Sequence, residues 1–315
     1  MSALKIGRVI RTDAKVCHVE VDGRVLQAAP RGILFDGEQK NPVAVGDQVE
    51  IDDASSPAGL ERVLPRRNSL SRTASSHDPR EQVLAANIDD VFIVVSLVSP
   101  GFSSSRTDRI LAACAWNEIP ATLVINKIDL CEPDEIATVR ETYERIPVRV
   151  LETSALDGRG VDAVRATLKD RVSMFFGASG AGKSSLLNGI QPGLKLRVGK
   201  VSKYWETGKH TTSFSQMHRL DAGGYVIDTP GIRVFRPFGI PSEQLRDVFL
   251  EFAPFQAKCR FNGCTHDHEP ECAVFDAVER GEIAASRYAS YVEMLDEVRK
   301  APVDEEVIEG GDEEA

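Results

Sequence analysis

Two short motifs stand in an unusual order, and that order restricts the fold more than anything else in the chain. Residues 126–129 read NKID, and residues 177–184 read GASGAGKS. The first has the form of a guanine-reading loop and the second that of a phosphate-binding loop. In most GTP-binding domains the phosphate loop comes first. Here the base reader precedes it, so either one motif is accidental or the chain is wired differently.

GASGAGKS follows an apolar strand pattern, VSMFF, and opens a helical one, KSSLLNGI. That context gives the motif its meaning. Gly177 and Gly182 let the backbone curl so that successive N–H groups face an anion, and the helix N-terminus adds a favourable dipole. Lys183 is expected to reach the β- and γ-phosphates, and the Ser184 hydroxyl to ligate Mg²⁺. The candidate phosphate contacts are Gly177, Ala178, Ser179, Gly180, Ala181, Gly182, Lys183, Ser184 and Ser185. DTPG (228–231) ends another apolar run, GYVID, which offers Asp228 to the magnesium shell and the Gly231 N–H to the γ-phosphate.

NKID ends the strand pattern ATLVI. A carboxylate there accepts from guanine N1–H and the N2 amine, whereas adenine leaves it unpaired, so Asp129 would specify guanine. Lys127 is expected to lie along the ring and Asn126 to tie loops together. TSAL (153–156) ends VRVLE, and its Ala155 N–H would donate to guanine O6 with Ser154 shaping the turn. Both motifs lie at strand ends in the right mutual order. Neither is accidental: the series is a cyclic shift of the usual one. Chain ends of compact domains often lie close together, so joining them and cutting elsewhere preserves a fold. The join would be KDRV (169–172).

At 315 residues the length favours two or three domains. The 42% hydrophobic and 27% charged content is that of a soluble globular protein. The longest apolar run, VFIVVSLV (91–98), suits a buried strand and is too short to cross a membrane. MSALKIGRVI lacks the apolar core of a secretory signal, so a cytoplasmic protein with reduced thiols is expected. The net charge of −10 argues at first against nucleic acid. Yet the tail VDEEVIEGGDEEA (303–315) holds seven acids and no base. RVLPRRNSLSR (62–72) is locally basic and without acids, and Arg66, Arg67 and Arg72 are candidate contacts to RNA phosphates.

Residues 1–65 show short alternating runs separated by turn residues, the pattern of a small antiparallel barrel such as the oligonucleotide-binding kind. VDGR is a candidate tight hairpin. From about residue 88, strands alternate with helix-length amphipathic runs, which implies a doubly wound, mostly parallel sheet. After residue 231 the strands stop, and PSEQLRDVFLEF and 273–299 look helical. The expected organisation is a barrel over 1–70, an α/β nucleotide domain over 71–235, a helical zinc-binding domain over 236–302 and a disordered acidic tail over 303–315. Cys259, Cys264, His266 and Cys272 form C-x₄-C-x-H-x₅-C, and such clustering argues for one structural zinc ion, with His268 as the rival imidazole.

QVLAANID, NKIDL, TSAL, GASGAGKSSLLN, GKHTTS, DTPGI and CRFNGCTHDHEPECAV, in that order, resemble the ribosome small subunit-dependent GTPase A family over nearly the whole chain except the tail. The resemblance implies a circularly permuted GTPase that binds the small ribosomal subunit and its 16S rRNA late in assembly. It implies GTP hydrolysis to GDP stimulated there, and a monomer. It also selects His266 as the zinc ligand. The family's switch-one motif usually reads G-R-H-T-T-T; here Lys209 and Ser213 depart from it, and Thr211 or Thr212 is expected on Mg²⁺ and the γ-phosphate. Ile232 stands where Ras-like enzymes carry a water-orienting glutamine, so His210 is the candidate for that role and Arg233 a weaker one. Three other readings remain. One is a P-loop ATPase or kinase, another a GTP-regulated RNA-binding assembly scaffold with negligible turnover. The third is a permuted GTPase acting on another RNA or a membrane, although the barrel and the lack of lipid motifs favour RNA.

Overall fold

The computed structural model describes residues 4–13, 15–32, 39–75, 78–196, 215–229, 231 and 234–300. Lys209, His210, Thr211, Thr212, Ser213, Ile232, Arg233 and the acidic tail lie outside the described residues.

Five strands close the N-terminal barrel: β1 (Lys5–Thr12), β2 (Cys17–Val21), β3 (Arg24–Pro30), β4 (Gln48–Asp52) and β5 (Ala58–Val63). They run in the order β1-β2-β3-β5-β4, and β4 pairs back onto β1. Alternation places Val9, Val19, Val49, Ile51 and Leu60 inside, where all are fully buried. The Asp22–Gly23 turn takes φ of +49° and +75°, as a two-residue hairpin with right-handed strand twist requires.

A separate hairpin follows, β6 (Ser69–Ser75) with β7 (Asp78–Ala86). The strand pattern did not reveal it, because its residues are largely polar. It is fastened to the barrel by Ala86 N–H donating to Val45 O, and to the segment after DTPG by Thr73 N–H donating to Arg236 O.

The nucleotide domain has six strands: β8 (Asp90–Ser96), β9 (Ala121–Asn126), β10 (Arg149–Thr153), β11 (Val172–Phe176), β12 (Gln216–Arg219) and β13 (Tyr225–Asp228). Their order is β10-β9-β8-β11-β13-β12, parallel except for the antiparallel β12. β8 and β11 are buried on both faces, which explains their unbroken apolar runs. Helices α1 (Ser104–Trp116), α2 (Pro133–Glu144), α3 (Val161–Thr167) and α4 (Lys183–Ile190) connect the strands. Pro133 opens α2 with a Glu132/Glu135 capping box. The C-terminal ends of β9, β10, β11 and β13 carry NKID, TSAL, the phosphate loop and DTPG. They share one sheet edge, where ligands of open α/β sheets bind. Arg11 of β1 pairs with Gln216 of β12, so the barrel continues the sheet beside the nucleotide domain.

Beyond residue 234 the described chain is helical: α5 (Ala253–Gln256), α6 (Ala273–Glu279) and α7 (Ala285–Lys300). PSEQLRDVFLEF, expected as a helix, forms two 3₁₀ turns, Leu245–Val248 and Leu250–Phe252. The break at Phe249 lets both Phe249 and Phe252 enter the core against Tyr291, with ring centroids 5.2 Å and 5.0 Å away.

Candidate nucleotide and metal sites

β11 runs straight into the phosphate loop, and α4 begins at Lys183. Gly182 takes φ +95°, and a Cβ there would sit 2.3 Å from Asn126 Nδ2, so the loop needs glycine for both conformation and space. Lys183 is buried, and its ammonium donates to Gly177 O at 2.8 Å and Ala178 O at 3.2 Å. Burial pulls its pKa below the ordinary amine value, while the Asp228 charge opposes that shift.

The base-reading motifs meet this loop directly. Asn126 is fully buried, and its Nδ2 donates to Ala181 O at 2.9 Å. Its Oδ1 accepts from Thr153 Oγ1 at 3.0 Å and from Ala155 N at 3.3 Å. One side chain thus ties the phosphate loop to both base loops. Ser154 Oγ donates to Asp129 Oδ1 at 2.6 Å and fixes the orientation of that carboxylate. Lys127, left-handed at φ +65°, donates to Ser99 O at 2.6 Å, a partner the motif does not disclose.

At the end of β13, Asp228 Oδ2 lies 3.5 Å from Ser184 Oγ, and its Oδ1 is buried without a partner. Burial raises the carboxyl's pKa, against the pull of Lys183 and Ser184. A buried orphan oxygen beside a hydroxyl suits a hard divalent cation, so the described residues fit Mg²⁺ held with GTP. Thr229 Oγ1 donates to Phe175 O at 2.7 Å and pins the DTPG segment to the end of β11. Gly231 lies so near the phosphate loop that a Cβ would meet Ser179 N at 2.4 Å and Ser179 Cα at 2.5 Å. The Mg²⁺ and γ-phosphate candidates Thr211 and Thr212, and the water-orienting candidate His210, are among the residues not described.

The arginines put forward for RNA are differently placed. Arg66 forms a two-pronged pair with fully buried Asp47, at 2.7 Å and 2.9 Å, and braces the barrel wall. Arg72 belongs to β6 rather than to the barrel; its guanidinium donates to Gln82 and to Val234 O. Both guanidiniums are thus already engaged by groups of this chain. Arg67 pairs with Asp89 at 2.7 Å but remains more than half exposed.

The second site lies between the 3₁₀ turns and α6. The ligand atoms of Cys259, Cys264, His266 and Cys272 all fall within 4.8 Å of one another. His266 Nδ1 faces Cys259 Sγ at 3.6 Å and Cys272 Sγ at 3.4 Å. His268 points away to Asp267 and is exposed, which removes it as the rival. Burial holds His266 neutral, with its pKa down to about 4, and burial with the neighbouring thiols pushes Cys264 up to about 12. Crowded thiols that resist ionisation are relieved by a soft divalent cation, so the set fits one structural Zn²⁺. The zinc loop is bound to α7: Tyr288 OH donates to His266 O at 2.8 Å, and Arg299 to Asp267 at 2.8 Å.

The comparisons with known proteins agree with this geometry. A family model described as RsgA GTPase matches residues 63–237. Small ribosomal subunit biogenesis GTPase RsgA 2 of Bacteroides thetaiotaomicron is 40% identical over 298 residues, which cover 92% of this chain and 96% of that protein. Small ribosomal subunit biogenesis GTPase RsgA of Chlorobaculum parvum is 42% identical over 274 residues, 84% of this chain and 88% of that one. The crystal structure of YjeQ from Thermotoga maritima matches with a TM-score of 0.72 at 36% identity, covering 95% of this chain and all (100%) of that one. YloQ, described as a circularly permuted GTPase, matches at 0.68 and 28% identity, covering 96% and 97%. The permuted order read from the motifs is therefore the order of the fold.

Proposed function

The chain belongs to the RsgA GTPase family, and from that premise we propose that it binds the small ribosomal subunit, assists its late maturation and hydrolyses GTP there. The observation that carries this reading is the Asn126 junction. It brings a guanine-reading loop and a phosphate loop together at one sheet edge although the chain presents them in reverse order.

In this reading Asp129, oriented by Ser154, accepts from the guanine N1–H and N2 amine, and Ala155 N–H donates to O6. The N–H groups of Gly177–Ser185 and the Lys183 ammonium take the phosphates. Ser184 and Asp228, with Thr212 or Thr211, would hold Mg²⁺, which draws charge from the β- and γ-oxygens when bound. The Gly231 N–H senses the γ-phosphate, and His210 is the proposed water-positioning group. Ile232 cannot orient water, so unstimulated turnover is slow and the subunit accelerates it. Zn²⁺ would be held by Cys259, Cys264, His266 and Cys272 as a structural centre. Arg67, the more exposed of the barrel-side arginines considered, is retained for RNA contact, while Arg66 and Arg72 support its surroundings.

We place the protein in the cytoplasm as a monomer acting away from membranes. In support, no helix among the described residues is long and apolar enough to cross a membrane. The experiment is co-sedimentation with purified small and large ribosomal subunits in GDP or in a non-hydrolysable GTP analogue. The reading expects small-subunit binding favoured by the analogue. Equal or no binding in the two nucleotides, or preference for the large subunit, sinks it.

A further inference from the structure

A phosphate loop offers its backbone N–H groups whatever side chains it carries, so a polar side chain within it is an addition. Ser179 is such a residue, and two markers place it at the end of the loop that takes the γ-phosphate. The first is the Lys183 ammonium, which a loop of this kind presents to the β- and γ-phosphates. It lies 2.8 Å from Gly177 O and 3.2 Å from Ala178 O, the residue directly before Ser179. The second is Gly231, the glycine of DTPG. A Cβ built on it would stand 2.4 Å from Ser179 N, 2.5 Å from Ser179 Cα and 2.7 Å from Ser179 Cβ. With a carbon–carbon single bond of about 1.5 Å, Gly231 Cα is within about 4.2 Å of Ser179 Cβ. Both markers therefore meet at residue 179.

Ser184, Thr229, Thr153 and Ser154 each direct a hydroxyl at a group of this chain: Asp228, Phe175 O, Asn126 and Asp129 respectively. Ser179 differs from them. It is exposed, and its hydroxyl has no hydrogen-bond partner among the described residues. Its O–H is therefore free to donate to an oxygen brought by the ligand. A donor meeting an ionised oxygen makes a shorter and stronger bond than one between neutral groups. GDP carries no phosphoryl group at this end of the site and GTP does, so the contact exists in one nucleotide state only.

We propose that the Ser179 hydroxyl reads the γ-phosphate, donating to one of its oxygens beside the Gly231 N–H, and so separates GTP from GDP. This rests on the GTP hydrolase reading and deepens it. The Ser179 N–H still serves the phosphates in common with the rest of the loop, in either nucleotide. The side chain adds a second donor from the same residue, and only the triphosphate receives it. Glycine at 231 is part of the arrangement, because any side chain there would run into Ser179. A serine at 179 thus has two separable properties, a hydroxyl that donates and a Cβ that stands against Gly231, and two substitutions tell them apart.

The test is titration of the full chain, in Mg²⁺, with GDP and with a non-hydrolysable GTP analogue for Ser179→Ala and Ser179→Gly. Both variants should bind GDP within about threefold of the unaltered chain and bind the analogue about tenfold or more weaker, the worth of one hydrogen bond to a charged acceptor. Analogue affinity within about threefold of the unaltered chain in Ser179→Ala overturns the assignment. So does a parallel loss of GDP affinity, which would mark damage to the loop as a whole. So does recovery of analogue binding in Ser179→Gly alone, which would mean that bulk against Gly231 matters and the hydroxyl does not. These readouts are independent of turnover. An unaltered chain that binds the analogue but hydrolyses no GTP therefore overturns the hydrolase reading, while the two affinities still decide the role of Ser179.

Discussion

Replacing Asn126 by alanine should cut affinity for GTP and GDP by about two orders of magnitude. The side chain is fully buried and makes three hydrogen bonds, to Ala181 O, Thr153 Oγ1 and Ala155 N. Each is worth roughly 1 kcal/mol net, so their loss is worth about 3 kcal/mol. If the stabilisation appears only when the base and phosphate loops are held together, that is about 100-fold in affinity. Two of the three partners lie in loops that must face the nucleotide, which is why the loss should fall on binding more than on folding. The assay is titration of a fluorescent GDP derivative, with thermal unfolding of the nucleotide-free protein measured beside it. Affinity within threefold of the unaltered protein would refute the argument that Asn126 joins the two halves of the site. An unfolding midpoint that collapses while the folded fraction binds normally would refute it equally.

Two other outcomes follow from the geometry. The protein should carry close to one zinc per chain; Cys264→Ser should release it and lower the Tm, while His268→Ala should do neither, as metal analysis and thermal unfolding would show. Asp228 has a folded-state pKa raised chiefly by burial. Such a carboxyl stabilises the fold while protonated, and that contribution is lost as pH rises through its folded pKa. Asp228→Asn should therefore raise the Tm of the nucleotide-free protein at pH 7, with the gain shrinking as pH falls into the ordinary carboxylate range, while Mg²⁺-dependent GTP binding is lost. An unchanged or lower Tm at pH 7 would contradict the sign.

The nucleotide loops were legible because each couples a short residue pattern to a strand end, and strand ends follow from apolar runs such as VSMFF and ATLVI. The barrel was legible from alternation and turn residues. The β6–β7 hairpin was not: SLSRTAS and DPREQVLAA carry few apolar residues, and their pairing is decided by contacts to Val45 and Arg236. Arg66 illustrates a different limit. A basic run announces charge but not its partner, and Asp47, nineteen residues upstream, is the buried acid that takes it. Likewise nothing local to TDR (107–109) or SRY (286–288) predicts that Asp108 and Arg287 will meet, because that pairing exists only once α7 docks on α1. By spacing alone both His266 and His268 are candidates, and only the fold separates them, by setting His266 among the thiols and leaving His268 exposed beside Asp267.

The most direct test of the account is steady-state hydrolysis of GTP and ATP, each with and without purified small ribosomal subunits. The account predicts slow GTP hydrolysis alone, strong stimulation by the small subunit, and no comparable ATP hydrolysis in either condition. GTP turnover indifferent to the subunit, or ATP used as readily as GTP, would contradict it.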